Sequence, residues 1–361
     1  METKARNITS FCILESSTIR EAVSCIDDNT KGIALVTDVH GKLVGTISDG
    51  DLRRAWAEGL DLDASISQLL SRKKRSEYPK PITAAVGTAS LKLLEIMKRN
   101  VIRQLPLLDK EGRVAGLVTY EELVPDQALP VQAVVMAGGR GKRLLPLTKK
   151  TPKPMLKVGK SPMLELIVKQ LKAAGVREVN ISTNYKANKI SKHFKDGKNF
   201  GVRVQYLREN EPLGTAGALG LLPVSKQPIL LVNGDVLTRV NYRAMLAFHE
   251  EHKADITVAV QKYDVEIAYG VLETEGVDVK RIVEKPKQLY LINAGIYLIQ
   301  PSVHGLIAKD QPMDMPDLIQ KVLDSKGRVV SFPIREYWLD IGNYANYRQA
   351  KGDAKKGRLK E

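Results

Sequence analysis

Residues 136–144 read Met-Ala-Gly-Gly-Arg-Gly-Lys-Arg-Leu, with glycine at 138, 139 and 141 and cations at Arg140, Lys142 and Arg143. Glycine leaves backbone N–H groups uncovered, and several such groups together hold anionic oxygens, so the segment is a candidate phosphate cradle. Two familiar glycine loops do not fit. The Walker pattern requires Ser or Thr after Gly141-Lys142, where Arg143 stands, and the dinucleotide fingerprint begun at Gly139 meets Leu144 where its third glycine belongs. No Ser-His-Asp or Cys-His signature offers a covalent nucleophile. The only cysteines, Cys12 and Cys25, cannot form a disulfide framework or a four-ligand zinc site and read as small buried apolar residues. Asp235 and Asp340 each follow an apolar run, a position where aspartate commonly serves a turn.

The elements that must hold the loop can be read around it. An apolar run of strand length, residues 131–136, feeds the loop; a helix-spaced set follows at Leu164, Val168 and Leu171, then strand-like runs at 179–182, 202–206 and 229–232. Strands interleaved with helices imply an α/β, Rossmann-like domain. Its sheet would be mixed and mainly parallel, with helices on both faces and ligands at the strands' carboxyl ends. A length of 361 residues implies two or three domains. A composition of 43% hydrophobic and 27% charged residues excludes collagen-like, low-complexity and wholly disordered chains. No apolar run approaches the roughly 20 residues that cross a bilayer, and the first residues lack the apolar core of a secretory signal, so a cytoplasmic location is expected.

The formal net charge of +15 is unevenly spread: residues 1–126 hold 18 basic and 18 acidic side chains, which leaves the whole excess to the remainder. A positive field attracts phosphate-rich ligands, and charge alone does not choose among nucleotide, nucleic acid and acidic membrane. The aromatic interleaving of single-strand platforms is missing, as are helix-turn-helix and zinc signatures, so neither a nucleic-acid nor a membrane partner is expected.

The glycine loop belongs to a longer pattern, followed by Pro146-Leu147-Thr148 and Pro152-Lys153-Pro154-Met155-Leu156. This pattern resembles the opening signature of the GT-A-like sugar-1-phosphate nucleotidylyltransferases, and the similarity runs over about residues 131–348. Its implied catalytic residues are Arg143, Lys153, Asp235 and Asp340, with the two aspartates holding Mg²⁺. The nucleotide would meet Ala137, Gly138, Gly139, Arg140 and Gly141, together with Glu209, Gly214, Thr215 and Gly217 in the segment 209–218. On the sugar-phosphate side the resemblance points to Gly270 in Tyr-Gly-Val, Glu284 and Lys285 in Val-Glu-Lys-Pro, and Asn293 in Asn-Ala-Gly. The implied reaction is attack of a sugar 1-phosphate on the α-phosphorus of a nucleoside triphosphate, releasing pyrophosphate. Glu209 would read the base edge, and a carboxylate can accept from both guanine N1–H and its 2-amino group, which points to GTP. Residues 213–218 are also similar to those of mannose-1-phosphate guanylyltransferases. Uridylyl, cytidylyl or thymidylyl transfer is the alternative within the fold, and a non-catalytic nucleotide sensor is the alternative outside it. With some twenty residues after Asp340, the β-helix acyltransferase of bifunctional relatives is not expected, and the basic tail from Lys351 to Lys360 is expected to fray.

The amino-terminal part is an internal repeat. A shift of about 71 positions superimposes Gly32 to Leu52 on Ile102 to Leu123, each reading as strand, turn, strand and helix start, with helix-like patterns upstream at Ile19–Ile26 and Leu91–Met97. The double unit resembles a tandem CBS domain pair spanning residues 1–126, with halves of about 1–66 and 67–126. By that resemblance, Ser48 and Thr119 would touch the phosphate of a regulatory adenine nucleotide, and Asp51 and Glu122 its ribose, Ser48/Asp51 being the better site. Helix capping without any ligand accounts for the same pairs. CBS pairs commonly associate face to face, so a homo-oligomer is expected. A basic run, Ser71 to Ser76, with Tyr78-Pro79-Lys80-Pro81 reads as a linker, and residues 125–130 as the boundary before a catalytic domain over 131–361. The combination resembles bacterial glucosamine-1-phosphate guanylyltransferases, which make GDP-linked amino sugars for sialic-acid-like surface sugars.

Overall fold

A computed structural model describes residues 8–359 apart from 30, 58, 60, 74–78 and 125–127. The two linkers read from the sequence therefore lie partly outside the described residues. The chain divides into two compact units, residues 1–127 and 128–361.

The first unit repeats one design. Strands β1 (Cys12–Leu14), β2 (Ile33–Thr37) and β3 (Leu43–Ser48) form one sheet, with helices α1 (Ile19–Asn29), α2 (Asp49–Ala57) and α3 (Ile66–Lys73). The second copy has β4 (Ala84–Ala85), β5 (Gln104–Leu108) and β6 (Val114–Thr119), with α4 (Ser90–Arg99) and the short α5 (Tyr120–Leu123). The helix-like patterns become α1 and α4, whose Ile19, Ala22, Ile26 and Leu93, Met97 enter their cores because residues three to four apart share one face. The copies join at their turns: Leu43 N–H donates to Gly112 O (3.2 Å) and Val114 N–H to Gly41 O (3.0 Å).

The second unit is built on a seven-stranded sheet. Its strands are β7 (Gln132–Met136), β10 (Glu178–Thr183), β11 (Arg203–Arg208), β12 (Ile229–Asn233), β14 (Ile256–Glu266), β17 (Lys287–Ile299) and β18 (Val329–Pro333). The order is β11-β10-β7-β12-β17-β14-β18, parallel except where β17 runs against β12 and β14. Alternation along each strand sends side chains to both faces: Ala133, Val135, Leu230 and Val232 enter one core, and Val134, Ile229 and Leu231 the other. Burial on both faces is why these strands are continuous apolar runs. Helices α6 (Met163–Ala173), α7 (Ala187–Phe194) and α8 (Tyr242–Glu251) supply the first core, and α9 (Met315–Asp324) supplies the second.

Smaller ladders complete the unit: β8 (Lys157–Val158) with β9 (Ser161–Pro162), β13 (Val236–Thr238) with β19 (Trp338–Asp340), and the hairpin β15 (Val271–Glu275) with β16 (Asp278–Val283). The last helix, α10 (Tyr344–Lys355), corrects the expectation of a frayed tail. Asp353 is buried and accepts from Tyr337 Oη (3.0 Å), Arg358 pairs with it (3.4 Å), and Leu359 enters a core with Leu144 and Ile341. Those apolar and paired contacts hold what the local basic composition alone would leave loose. No helix among the described residues is long and apolar enough to cross a membrane.

Candidate active site

Strand β7 lies between β10 and β12, where successive connections leave in opposite directions, and its carboxyl end is the place where sheets of this topology bind ligands. The glycine loop begins there. Ala137 N–H donates to Ser182 O at the end of β10 (3.0 Å), and Gly234 N–H donates to Met136 O (2.9 Å). Gly141 adopts φ +61°, and a Cβ on it would lie 2.9 Å from Lys153 Cβ, so left-handed backbone and close approach both demand glycine. Thr148 Oγ1 donates to Gly141 O (2.9 Å). Two tyrosines of α10 grip the same loop and its neighbour: Tyr344 Oη donates to Leu145 O (3.0 Å) and Tyr347 Oη to Lys157 O (2.8 Å). Gly139 and Arg140 remain exposed, and a Cβ on Gly139 would meet nothing within 4 Å.

The four charged residues expected to act together are brought together. In the β13:β19 ladder Val236 pairs with Asp340, and Ile341 N–H donates to Asp235 O (3.0 Å), which sets the two aspartates side by side. Lys153 is 8% exposed, and its ammonium lies 2.5 Å from Asp235 Oδ2. The exposed Arg143 approaches the same place: a Cβ on Gly342 would lie 3.3 Å from Asp340 Oδ2 and 3.5 Å from an Arg143 guanidinium nitrogen. Burial pushes the Asp340 carboxyl above the ordinary range and the Asp235 charge adds to it, while Lys153 and Arg143 oppose the rise. Two neighbouring carboxylates are a fitting donor set for a hard divalent cation. Mg²⁺ binds through one or two carboxylates and completes its shell with substrate phosphates and water. No group of three or more His, Cys, Asp or Glu side chains suited to a metal occurs among the described residues, so such a cation would take the rest of its shell from the nucleotide and water.

The nucleobase-side residues are tied into the protein by their own hydrogen bonds. Glu209 is 9% exposed. Its Oε1 accepts from Ser182 Oγ, its Oε2 accepts from Leu213 N–H (3.0 Å), and a Cβ on Gly138 would lie 2.7 Å from Oε1. The carboxylate thus sits against the glycine loop with protein donors already on both oxygens. Thr215, Gly214 and Gly217, expected to face the nucleotide, meet residues 311–315. Thr215 donates through N–H (2.9 Å) and Oγ1 (3.1 Å) to Asp314 Oδ1, and accepts at Oγ1 from Met315 N–H (2.8 Å). Gly217 N–H donates to Met313 O (3.0 Å), and a Cβ on Gly214 would lie 2.6 Å from that oxygen. The loop that carries them is thereby anchored on the start of α9, where the small residues permit two backbones to meet.

On the sugar-phosphate side, Gly270 and Glu284 are adjacent, a Cβ on Gly270 lying 3.0 Å from Glu284 Oε2. Both stand with Lys285, at φ +47°, on an exposed arm made of β15, β16 and the ends of β14 and β17. No hydrogen bond or ion pair ties these residues to the Asp235–Asp340 pair among the described residues. Asn293 braces the bend after it: Nδ2 donates to Tyr297 Oη (2.7 Å), and Oδ1 accepts from Gly295 N–H (3.0 Å). Asn293 is exposed, and its carboxamide keeps a second N–H and a further lone pair beyond those two bonds.

Sequence reasoning passed over Ser182, Asn184 and Asp314. The first two are polar residues at and just past the carboxyl end of the apolar strand β10, a signal at hand once that strand was placed beside β7. Asp314 carried no signal, since its partner Thr215 is 99 positions away.

In the first unit both candidate pairs form capping arrangements. Ser48 N–H and Oγ donate to Asp51 Oδ2 (both 2.8 Å), and Thr119 N–H donates to Glu122 Oε2 (3.1 Å). Asp51 also accepts from Lys73 Nζ and Arg54 (both 2.7 Å). Burial raises its pKa, but Lys73, the Ser48 N–H and Arg54 bring the net shift below the ordinary carboxylate range. Lys31 reaches from the first copy to Glu122 of the second (3.2 Å).

The nucleotidyl transferase family model matches residues 132–357, and the CBS domain model matches residues 6–58 and 76–125. The chain belongs to the nucleotidyl transferase family. It is 35% identical over 228 residues to mannose-1-phosphate guanylyltransferase 1 of Arabidopsis thaliana, covering 60% of this chain and 63% of that protein. It is 33% identical over 228 residues to the mannose-1-phosphate guanyltransferase of Schizosaccharomyces pombe, covering 60% and 62%. The chain therefore spans less than two thirds of the length of these relatives. Among solved structures, HddC from Yersinia pseudotuberculosis complexed with GMP-PN aligns with a TM-score of 0.50 and 26% identity, over 62% of this chain and 99% of that one. These matches support the mainly parallel α/β fold and the paired CBS repeat in front of it.

Proposed function

We propose that this protein transfers a guanylyl group from GTP to a sugar 1-phosphate, giving a GDP-sugar and pyrophosphate. The observation that carries the reading is the convergence of Arg143, Lys153, Asp235 and Asp340 beside a glycine loop at the carboxyl end of β7. Both substrates are anions, so their repulsion must first be overcome. Backbone N–H groups of Gly138 to Gly141, with Arg143 and Lys153, neutralise the triphosphate and the charge that moves to the leaving pyrophosphate. Asp235 and Asp340 would hold a divalent cation, Mg²⁺ in the first instance. When bound, it supplies Lewis-acid stabilisation of the reacting phosphates. An oxygen of the sugar phosphate forms a bond to the α-phosphorus as the bond to the bridging oxygen of pyrophosphate breaks, and that oxygen keeps the electron pair. The attacking phosphate is ionised at neutral pH, so no general base is required. Much of the rate comes from holding two reactants in line.

Guanine is favoured because the Glu209 carboxylate lies at the loop, and because the Arabidopsis and Schizosaccharomyces relatives are named as guanylyl transferases of mannose 1-phosphate. Mannose 1-phosphate and glucosamine 1-phosphate are the first acceptors to compare. The tandem CBS unit is proposed to sense an adenine nucleotide or to join subunits. A ligand there changes turnover only if it binds active and inactive arrangements unequally.

A pyrophosphate-release screen over four nucleoside triphosphates and a panel of sugar 1-phosphates, with and without adenine nucleotides, tests these statements. GTP-dependent release with one hexose or hexosamine 1-phosphate is expected. Release from UTP, CTP or dTTP alone would overturn the guanylyl assignment, and no release from any pair would favour a non-catalytic sensor. Glu209→Gln is expected to lower the preference for GTP in competition, because one acceptor becomes a donor.

A further inference from the structure

Glu209 is held through both its main chain and its carboxylate. Its backbone N–H donates to Thr183 O (3.0 Å) and its carbonyl accepts from Asn184 Nδ2 (2.9 Å), so the end of β10 holds the main chain. Its two oxygens accept from Ser182 Oγ and from Leu213 N–H (3.0 Å). Ser182 is fully buried, at 0% exposure, and Glu209 is 9% exposed. An ionised carboxylate offers about four acceptor sites. One on each oxygen is filled by protein, which leaves one on each for a ligand. A buried anion against a phosphate-binding loop repels phosphate, so the vacant sites suit a neutral group carrying two adjacent N–H donors. Guanine presents such a pair.

We propose that Ser182 is a specificity-determining positioning residue. Its hydroxyl sets the rotation of the Glu209 carboxylate so that the two remaining acceptor sites face the base edge. A hydroxyl has one proton, and here that proton goes to Oε1. Without it the carboxylate is held only by the Leu213 N–H and can turn about its last bond. Paired recognition of N1–H and the 2-amino group then weakens, while the phosphate-binding groups stay as they were. Preorganisation of the reading group by a buried partner is the physical basis. This inference rests on the guanylyl reading above.

The test is steady-state kinetics of Ser182→Ala and Ser182→Thr with GTP and with ITP, which keeps N1–H but lacks the 2-amino group. For Ser182→Ala the KM for GTP is expected to rise about tenfold, the effect of one lost hydrogen bond to a charged group. Its kcat should stay within about twofold, and the GTP/ITP ratio of kcat/KM should fall by a similar factor. Ser182→Thr, which keeps the hydroxyl, should recover the wild-type ratio. Should alanine prevent folding, Ser182→Cys keeps the volume with a weak donor and should show the same loss of discrimination. A purely structural role would lower kcat for both nucleotides alike and leave the ratio unchanged. A folded Ser182→Ala or Ser182→Cys enzyme with an unchanged GTP/ITP ratio would overturn the proposal while leaving the guanylyl reading intact. A wild-type enzyme that prefers a pyrimidine nucleotide would instead overturn that reading.

Discussion

Replacing Lys153 by Met removes the charge and keeps the length of the stem. The ammonium is nearly enclosed and lies 2.5 Å from Asp235 Oδ2, whose side chain is 29% exposed. At an effective dielectric near 20 the gross attraction at that distance is about 7 kcal/mol. Desolvation of both charges offsets most of it, so the variant should lose about 1–3 kcal/mol of stability and stay folded. Activity should fall far more. Losing a preorganised donor aimed at developing negative charge costs on the order of 10²–10³ in turnover. Asp235 then faces Asp340 without its cation, which weakens triphosphate binding as well. Pyrophosphate release measured beside a thermal melt separates the two effects. Asp235→Asn should be similarly impaired, and because the two residues form one ion pair the double variant should lose less than the two single losses combined. A folded Lys153→Met enzyme within about threefold of wild-type kcat/KM would refute the role given to this cluster.

Gly141→Ala forces a side chain into a left-handed backbone 2.9 Å from Lys153 Cβ, so a stability loss above about 1 kcal/mol and a large fall in activity are expected from denaturation and pyrophosphate assays. Asp314→Ala removes the acceptor that Thr215 uses twice, and the KM for the nucleoside triphosphate should rise several-fold in steady-state kinetics while far-ultraviolet circular dichroism stays unchanged. His249 is fully buried with Nδ1 on Thr257 Oγ1 (2.8 Å), and burial pulls its pKa down to about 4 against a weaker opposing pull from Asp255. The unfolded chain therefore takes up the proton first. Stability should be full above about pH 6.5 and fall as pH drops toward 4, by up to about 3 kcal/mol. Urea denaturation across that range should show a smaller loss for His249→Leu than for wild type.

The α/β layering was legible because burial on both faces of the sheet writes continuous apolar runs such as 131–136 and 229–232, and because Leu164, Val168 and Leu171 fall on one helix face. The repeat was legible because both copies need the same strand, turn and helix start. The charged cluster was legible through motif order, although only the β13:β19 ladder explains how Asp235 and Asp340 meet across more than a hundred residues. The anchoring of the loop at 213–217 was not legible because glycine at a backbone crossing and glycine at a ligand look alike in sequence, and the crossing partner at 311–315 is distant. The tail was misread because Asp353 and Leu359 are held by Tyr337, Arg358 and a distant core rather than by local pattern. Ser182 escaped notice because its partner, Glu209, lies 27 residues away, just past the end of β11.

A crystal structure with a non-hydrolysable GTP analogue and Mg²⁺ tests the central claim most directly. The account predicts the metal on oxygens of Asp235, Asp340 and the α-phosphate, with the phosphates along Gly138 to Gly141 and the guanine edge at Glu209. A nucleotide bound elsewhere, with those two carboxylates apart and turned to solvent, would contradict it.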